Sequence, residues 1–169
     1  ELGITDIVKL ASNENPLGCS DKVKEAVAAE LAEIGRYPDG GGFILKDQIK
    51  AQFGFNHDQI TLGNGSNDLL EMFARAFVSE KDSVIYSQHA FAVYALVTQA
   101  IHAEAIEVPA KGFSHDLEAM AAAIKDNTKL IFIANPNNPT GTWFEEAEFE
   151  AFMQKVPANV IVVLDEAYV

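Results

Sequence analysis

Apolar residues in this chain recur at two spacings, and the changes between them mark its elements. Val23, Ala26, Val27, Leu31 and Ile34 return every three to four positions, the stripe of a helix that Ser20 can cap and Gly35 can end. Leu45, Ile49 and Phe53 form a second stripe after Arg36-Tyr-Pro-Asp-Gly-Gly-Gly42, whose proline and three glycines exclude regular structure. A third, Leu69, Leu70, Phe73 and Phe77, opens directly from the loop Gly63-Asn-Gly-Ser-Asn-Asp68, with residues 60–62 as a short extended lead-in.

From Ser83 onward, strands and helices alternate. Residues 84–86, 105–108, 130–134 and 160–164 read as strands, separated by helices over 91–99, around Leu117, Met120, Ala121 and Ile124, and over 145–153. That alternation predicts an α/β fold of three layers, a mostly parallel sheet covered by helices on both faces. The run Val160-Ile-Val-Val-Leu164 is apolar throughout and reads as a central strand. No internal repeat or low-complexity tract interrupts the pattern.

Length and charge narrow the class of function. A chain of 169 residues, 49% apolar in short runs, can build one core and offers no membrane span of roughly 20 residues. Residues 1–10 lack the order of a signal peptide, so a cytoplasmic location is expected. Twelve basic against twenty-five acidic residues give a net charge of -13, which argues against nucleic acid or anionic membrane as partner. A small anion held by backbone N–H groups at a helix start remains open. Cys19 is the only cysteine, which excludes an internal disulfide and a cysteine-based metal cluster. His57, His89, His102 and His115 have no metal-ligand spacing; each reads as structural or solvent-facing, with His102 and His115 in peripheral connections.

In an open α/β sheet, ligands gather at the carboxyl ends of the strands, and there this sequence turns polar. Gly65-Ser-Asn67 at a helix start suits a phosphate or is an ordinary capped helix. Asn135-Pro-Asn-Asn-Pro-Thr-Gly141 is either a double turn or a mount for two fixed amide donors. Asp165 ends an apolar strand, where a carboxylate needs a partner; it could meet a cationic ring nitrogen or cap the next turn. Phe91, at a strand-to-helix junction, is core or offers its face to a planar ring. Neither a dinucleotide glycine fingerprint nor a Gly-Lys-Ser/Thr loop is present.

Five segments in order, Leu10-Ala-Ser-Asn-Glu-Asn-Pro-Leu-Gly18, Arg36-Tyr-Pro-Asp-Gly40, Gly63 to Asp68, Asn135 to Gly141 and Asp165-Glu-Ala-Tyr168, resemble the N-terminal half of the fold-type I aminotransferases that use pyridoxal phosphate. The histidinol-phosphate aminotransferases are the nearest branch. The resemblance implies that Ser66 and Asn67 hold the cofactor phosphate and that Phe91 stacks on the pyridine where the family often has Tyr. It also implies that Asn138 and Tyr168 bond the phenolic oxygen from two sides and that Asp165 binds the protonated ring nitrogen. Tyr37 resembles the tyrosine that reaches the neighbouring subunit's cofactor, implying a homodimer, and Asn13 the arm that closes over substrate. Residues 1–35 would then be an arm and first helix on the small-domain side, and 36–169 an incomplete large cofactor-binding domain.

The implied reaction is transamination between histidinol phosphate and 2-oxoglutarate, a small-molecule amino donor and 2-oxo acid acceptor, giving imidazole acetol phosphate and glutamate. Aromatic amino acid transamination, a threonine-phosphate decarboxylase, a dinucleotide-binding oxidoreductase domain and a non-catalytic α/β protein are the alternatives. No metal is implied. The family's Schiff-base lysine and carboxylate-binding arginine match none of the ten lysines and two arginines here. With Val169 four residues beyond Asp165 and no helix after the last strand, the expectation is a domain that continues downstream, inactive without the rest.

Overall fold

A computed structural model describes residues 3, 5–10 and 12–169. Ala11, inside the arm motif, lies outside the described residues. The chain separates into two compact units, Glu1–Gly54 and Phe55–Val169.

The first unit holds α1 (Asp21–Glu30), extended by a 3-10 turn over Leu31–Glu33, and α2 (Phe43–Phe53). Ser20 caps α1 as its sequence suggests, its hydroxyl accepting from the Val23 N–H. The Asp39 carboxylate accepts from the Gly41 and Phe43 N–H groups at the start of α2, and these bonds hold its carboxyl below the usual carboxylate range. Neither helix has a buried residue, and Val23, Val27, Leu31 and Ile34 stay exposed. The stripe thus makes a helix without making a core, because burial needs a partner surface that the described residues of this unit do not supply.

The second unit carries the core. It runs α3 (Ser66–Phe77), β1 (Ser83–Ser87), α4 (Ala92–Ala100), β2 (Glu104–Val108), α5 (Leu117–Ala122), β3 (Thr128–Ala134), α6 (Glu146–Met153) and β4 (Ile161–Asp165). All strand pairs are parallel, in the order β2-β1-β3-β4. Side chains alternate across the sheet with the strand period of two. Val84, Tyr86, Leu130, Phe132 and Ala134 pack with Leu70, Ala74, Tyr94 and Val97 of α3 and α4. Ile85, Ile131 and Ile133 face the other way, toward Met120 of α5 and Phe152 of α6. This is the expected three-layer α/β architecture.

Two expectations need correction. Among the described residues β4 pairs with β3 alone and its five residues are half-buried, whereas β1 and β3 are flanked on both sides and buried, so the central place expected of residues 160–164 is not seen in this four-stranded sheet. The uniform apolarity of β4 reports two packed faces: Ile161 and Val163 join the α3/α4 cluster, Val162 and Leu164 the α5/α6 cluster. Hydrogen-bonded neighbours are a separate matter that side-chain type does not record. His115, placed in a peripheral connection, is instead buried, with Nε2–H donating to the Ala134 carbonyl at 2.8 Å.

Burial lowers His115 below the usual histidine value of 6.5, the Ala134 bond pulling the other way. The unfolded chain therefore takes up a proton that the folded ring resists, so stability rises with pH. The contribution is complete above about 6.5 and is lost as pH falls toward the lowered folded value, with a slope of at most about 1.4 kcal/mol per pH unit. Urea melts from about pH 7.5 to about pH 5.5 should show this slope in the native chain and a flatter one in His115→Gln, after allowance for carboxylate titration. Equal slopes would contradict the assignment.

Candidate active site

The order β2-β1-β3-β4 reverses direction between β1 and β3, so the connections leaving these two strands diverge and open a crevice at their carboxyl ends. The loop after β3 is firmly held. Asn135 clasps Phe144 in both directions, Nδ2–H donating to its carbonyl and Oδ1 accepting from its N–H, at 3.1 and 3.0 Å. The Asn137 amide is buried and donates to the His89 carbonyl and to Thr140 Oγ1, joining the loops that follow β1 and β3. Asn135–Pro136 and Asn138–Pro139 are both cis.

One cleft at this edge, with about 260 Å³ of free space, is lined by Ser66, Phe91, Ala134, Asn138, Asp165, Ala167 and Tyr168. Each reaches it for a local reason. Ser66 is the first residue of α3, whose first turn has no capping side chain, leaving N–H groups for a ligand. Gly65, with φ 82° and ψ 174°, takes the chain into that turn through a conformation open almost only to glycine. Phe91 stands at the N-terminal boundary of α4 with its ring edge-on to Tyr94, centroids 5.9 Å apart. Asp165 shares the parity of Ile161 and Val163, so it faces α3 and α4, in register with Ala134. Asn138 Nδ2–H donates to the Tyr168 hydroxyl at 3.2 Å.

Five of the eight residues singled out in the sequence thus meet in one cleft. Asn67 is exposed on the first turn of α3 and does not line it. Asn13 and Tyr37 belong to the first unit. None of the lysines lines the cleft. Among the described residues, no three His, Cys, Asp or Glu side chains converge on a metal-sized site, and no helix is long and apolar enough to cross a membrane. A roomier groove of about 940 Å³ lies beside α5 and α6, but none of these groups lines it.

Sequence reasoning missed Tyr94. Its helical spacing marks it only as core, and its ring is fully buried and stacked on Phe132, centroids 4.9 Å apart and planes within 6°. Its hydroxyl nevertheless donates to Asp165 Oδ2 at 2.9 Å. Burial first, and the Asp165 charge second, push the phenol far above its ordinary value, so it stays a donor. The other carboxylate oxygen accepts from the Ala167 N–H at 3.2 Å. The cleft therefore combines a helix start that can hold an oxyanion, an aromatic face, an amide and phenol pair, and an oriented carboxylate.

A family model for aminotransferases of class I and II matches residues 5–169. The chain belongs to that family. It is 57% identical over 168 residues to histidinol-phosphate aminotransferase 2 of Pasteurella multocida, a match covering 99% of this chain and 46% of that protein. It is 59% identical to histidinol-phosphate aminotransferase 1 of Idiomarina loihiensis, with the same coverage. The chain spans about half the length of the curated relatives it matches. Among solved structures, histidinol-phosphate aminotransferase from Sinorhizobium meliloti in complex with pyridoxal 5'-phosphate superposes with a TM-score of 0.89 at 28% identity, covering 93% of this chain and 43% of that one. The aspartate aminotransferase from Rhizobium meliloti, at 18% identity and TM-score 0.79, covers 92% of this chain and 42% of its own; it shares the fold.

Gly65 gives this construction a direct test. Gly65→Ala should lower stability by about 1–3 kcal/mol through backbone strain alone, since nothing lies within 4 Å of the added carbon. Gly40→Ala, also in open space but at an ordinary φ, should stay within about 0.5 kcal/mol of the parent in the same denaturant melts. Equal effects would place the constraint elsewhere.

Proposed function

We propose that the full-length protein carrying these residues is a pyridoxal-phosphate-dependent aminotransferase acting on histidinol phosphate with 2-oxoglutarate as acceptor. The observation that carries this reading is the convergence of Ser66, Phe91, Asn138, Asp165 and Tyr168 on one cleft. Membership of the aminotransferase family and the 56–60% identity to histidinol-phosphate aminotransferases support the reaction and the substrate. A homodimer in the cytoplasm, with Tyr37 serving the partner's cofactor and Asn13 in an arm over the substrate, belongs to the same proposal. So does the division into a small-domain side over 1–35 and a cofactor-binding domain from 36.

The residues present fit that cofactor group by group. The open first turn of α3, with the Ser66 hydroxyl and with Asn67 beside it, would take the phosphate, since unpaired N–H groups and the helix dipole favour an anion. Phe91 would lie against the ring face; a phenyl ring stacks without needing a hydroxyl. Asn138 and Tyr168, already bonded to each other, would meet the ring's phenolic oxygen together. Asp165 would bind the ring nitrogen and keep it protonated, a charge-assisted bond stronger than a neutral one. When bound, the cofactor supplies an electron sink for proton removal from the carbon that bears the substrate's amine. Proton transfer needs a base, and the cleft holds no lysine, so that group must come from outside these lining residues.

The reading is tested in a protein of the relatives' full length by recording the visible spectrum with pyridoxal phosphate before and after each amino donor. A cofactor band that decays fastest with histidinol phosphate, ahead of glutamate and phenylalanine, is the expected result, and Asp165→Asn should lower kcat by about 10²–10³-fold. Absence of a band would point to a non-catalytic α/β protein. A response to phenylalanine alone would make the enzyme an aromatic transaminase.

A further inference from the structure

Tyr94 is a buried phenol that the proposed chemistry does not use. It touches two groups that the chemistry does use: its hydroxyl donates to Asp165 Oδ2 at 2.9 Å, and its ring meets Phe91 at 89° with centroids 5.9 Å apart. Its own freedom is small. The ring is fully buried and stacked on Phe132 in the central strand β3, and its N–H donates to the Phe91 carbonyl at 3.1 Å.

Asp165 is the last residue of β4. Its carboxylate would rotate freely about its side-chain bonds if the backbone alone held it. The Ala167 N–H steadies Oδ1 from the same segment, whereas Tyr94 steadies Oδ2 from across the core. With each oxygen holding one donor, the plane of the carboxylate is fixed where Asp165 lines the cleft.

Resting on the reading of the cleft given above, we infer that Tyr94 is a positioning residue: anchored on Phe132, it fixes the Asp165 carboxylate, and with it the Phe91 ring, for recognition of a protonated ring nitrogen. Tyr94 touches no cofactor atom under this assignment. The effect of its hydroxyl passes through Asp165, so that hydroxyl should matter only for ligands that present a ring nitrogen. A purely structural role would not discriminate between ligands in that way.

The test compares pyridoxal phosphate with the analogue whose ring nitrogen is replaced by carbon, titrated into the full-length protein. Tyr94→Phe keeps the ring on Phe132 and removes only the donor. It should weaken pyridoxal phosphate roughly tenfold, the scale of a lost hydrogen bond to a charged group, and leave the analogue within about twofold. The loss should vanish in an Asp165→Ala background, since the two residues act as one unit. Equal losses for both ligands, a loss that persists without Asp165, or no loss at all would overturn the inference. If Tyr94→Phe fails to fold, 3-fluorotyrosine at position 94 repeats the comparison with nearly unchanged volume and a stronger donor. A change of about threefold for pyridoxal phosphate alone is then expected, and equal behaviour of the two ligands refutes it. A parent protein that binds no pyridoxal phosphate would sink the cleft reading and this inference together; a parent that binds it with an indifferent Tyr94→Phe sinks this inference alone.

Discussion

The alternation of side chains along a parallel strand is the constraint on which the candidate site depends. Because β4 has a period of two, the face that receives Ile161 and Val163 also receives Asp165. That face is covered by α3 and α4, whose N-termini lie at the same edge of the sheet. A shift of one residue would send the carboxylate toward α5 and α6, away from Ser66, Phe91 and Tyr94. The apolar registration that builds the core therefore also aims the only acidic side chain of the cleft.

The acidic character of the chain as a whole, a net charge of -13, sits beside a proposed phosphate site without conflict. Anion binding at a helix start draws on local N–H groups and falls off within the first turn, so it is insulated from charges spread over the surface. Asp165 lines the cleft, and under the proposal its carboxylate would meet a cationic ring nitrogen. Local dipoles rather than net charge decide which end of a small ligand goes where.

Much of this was legible in the residues. Alternating helical stripes and short apolar runs marked the number and order of the α/β elements after Ser83, and the polar breaks at Asn135 and Asp165, with the helix start at Gly65, marked where a ligand could sit. What remained hidden depends on three-dimensional partners. Nothing in Val160 to Leu164 says how many hydrogen-bonded neighbours a packed strand has, and among the described residues β4 has β3. His115 looked peripheral because it lies between elements, yet its ring reaches the end of β3. Tyr94 carried only the signature of a core position, since a hydroxyl on a helical stripe does not announce its acceptor 71 residues away. The first helix shows the converse, a clear stripe whose face stays exposed.

The central claim is that one planar ligand spans the start of α3 and the end of β4. A crystal structure of the full-length protein grown with pyridoxal phosphate tests it most directly. The account predicts the phosphate on the N–H groups and hydroxyl at Ser66, the ring against Phe91, and the ring nitrogen about 2.8 Å from the Asp165 carboxylate. Density for the cofactor elsewhere, or with its nitrogen turned away from Asp165, would contradict it.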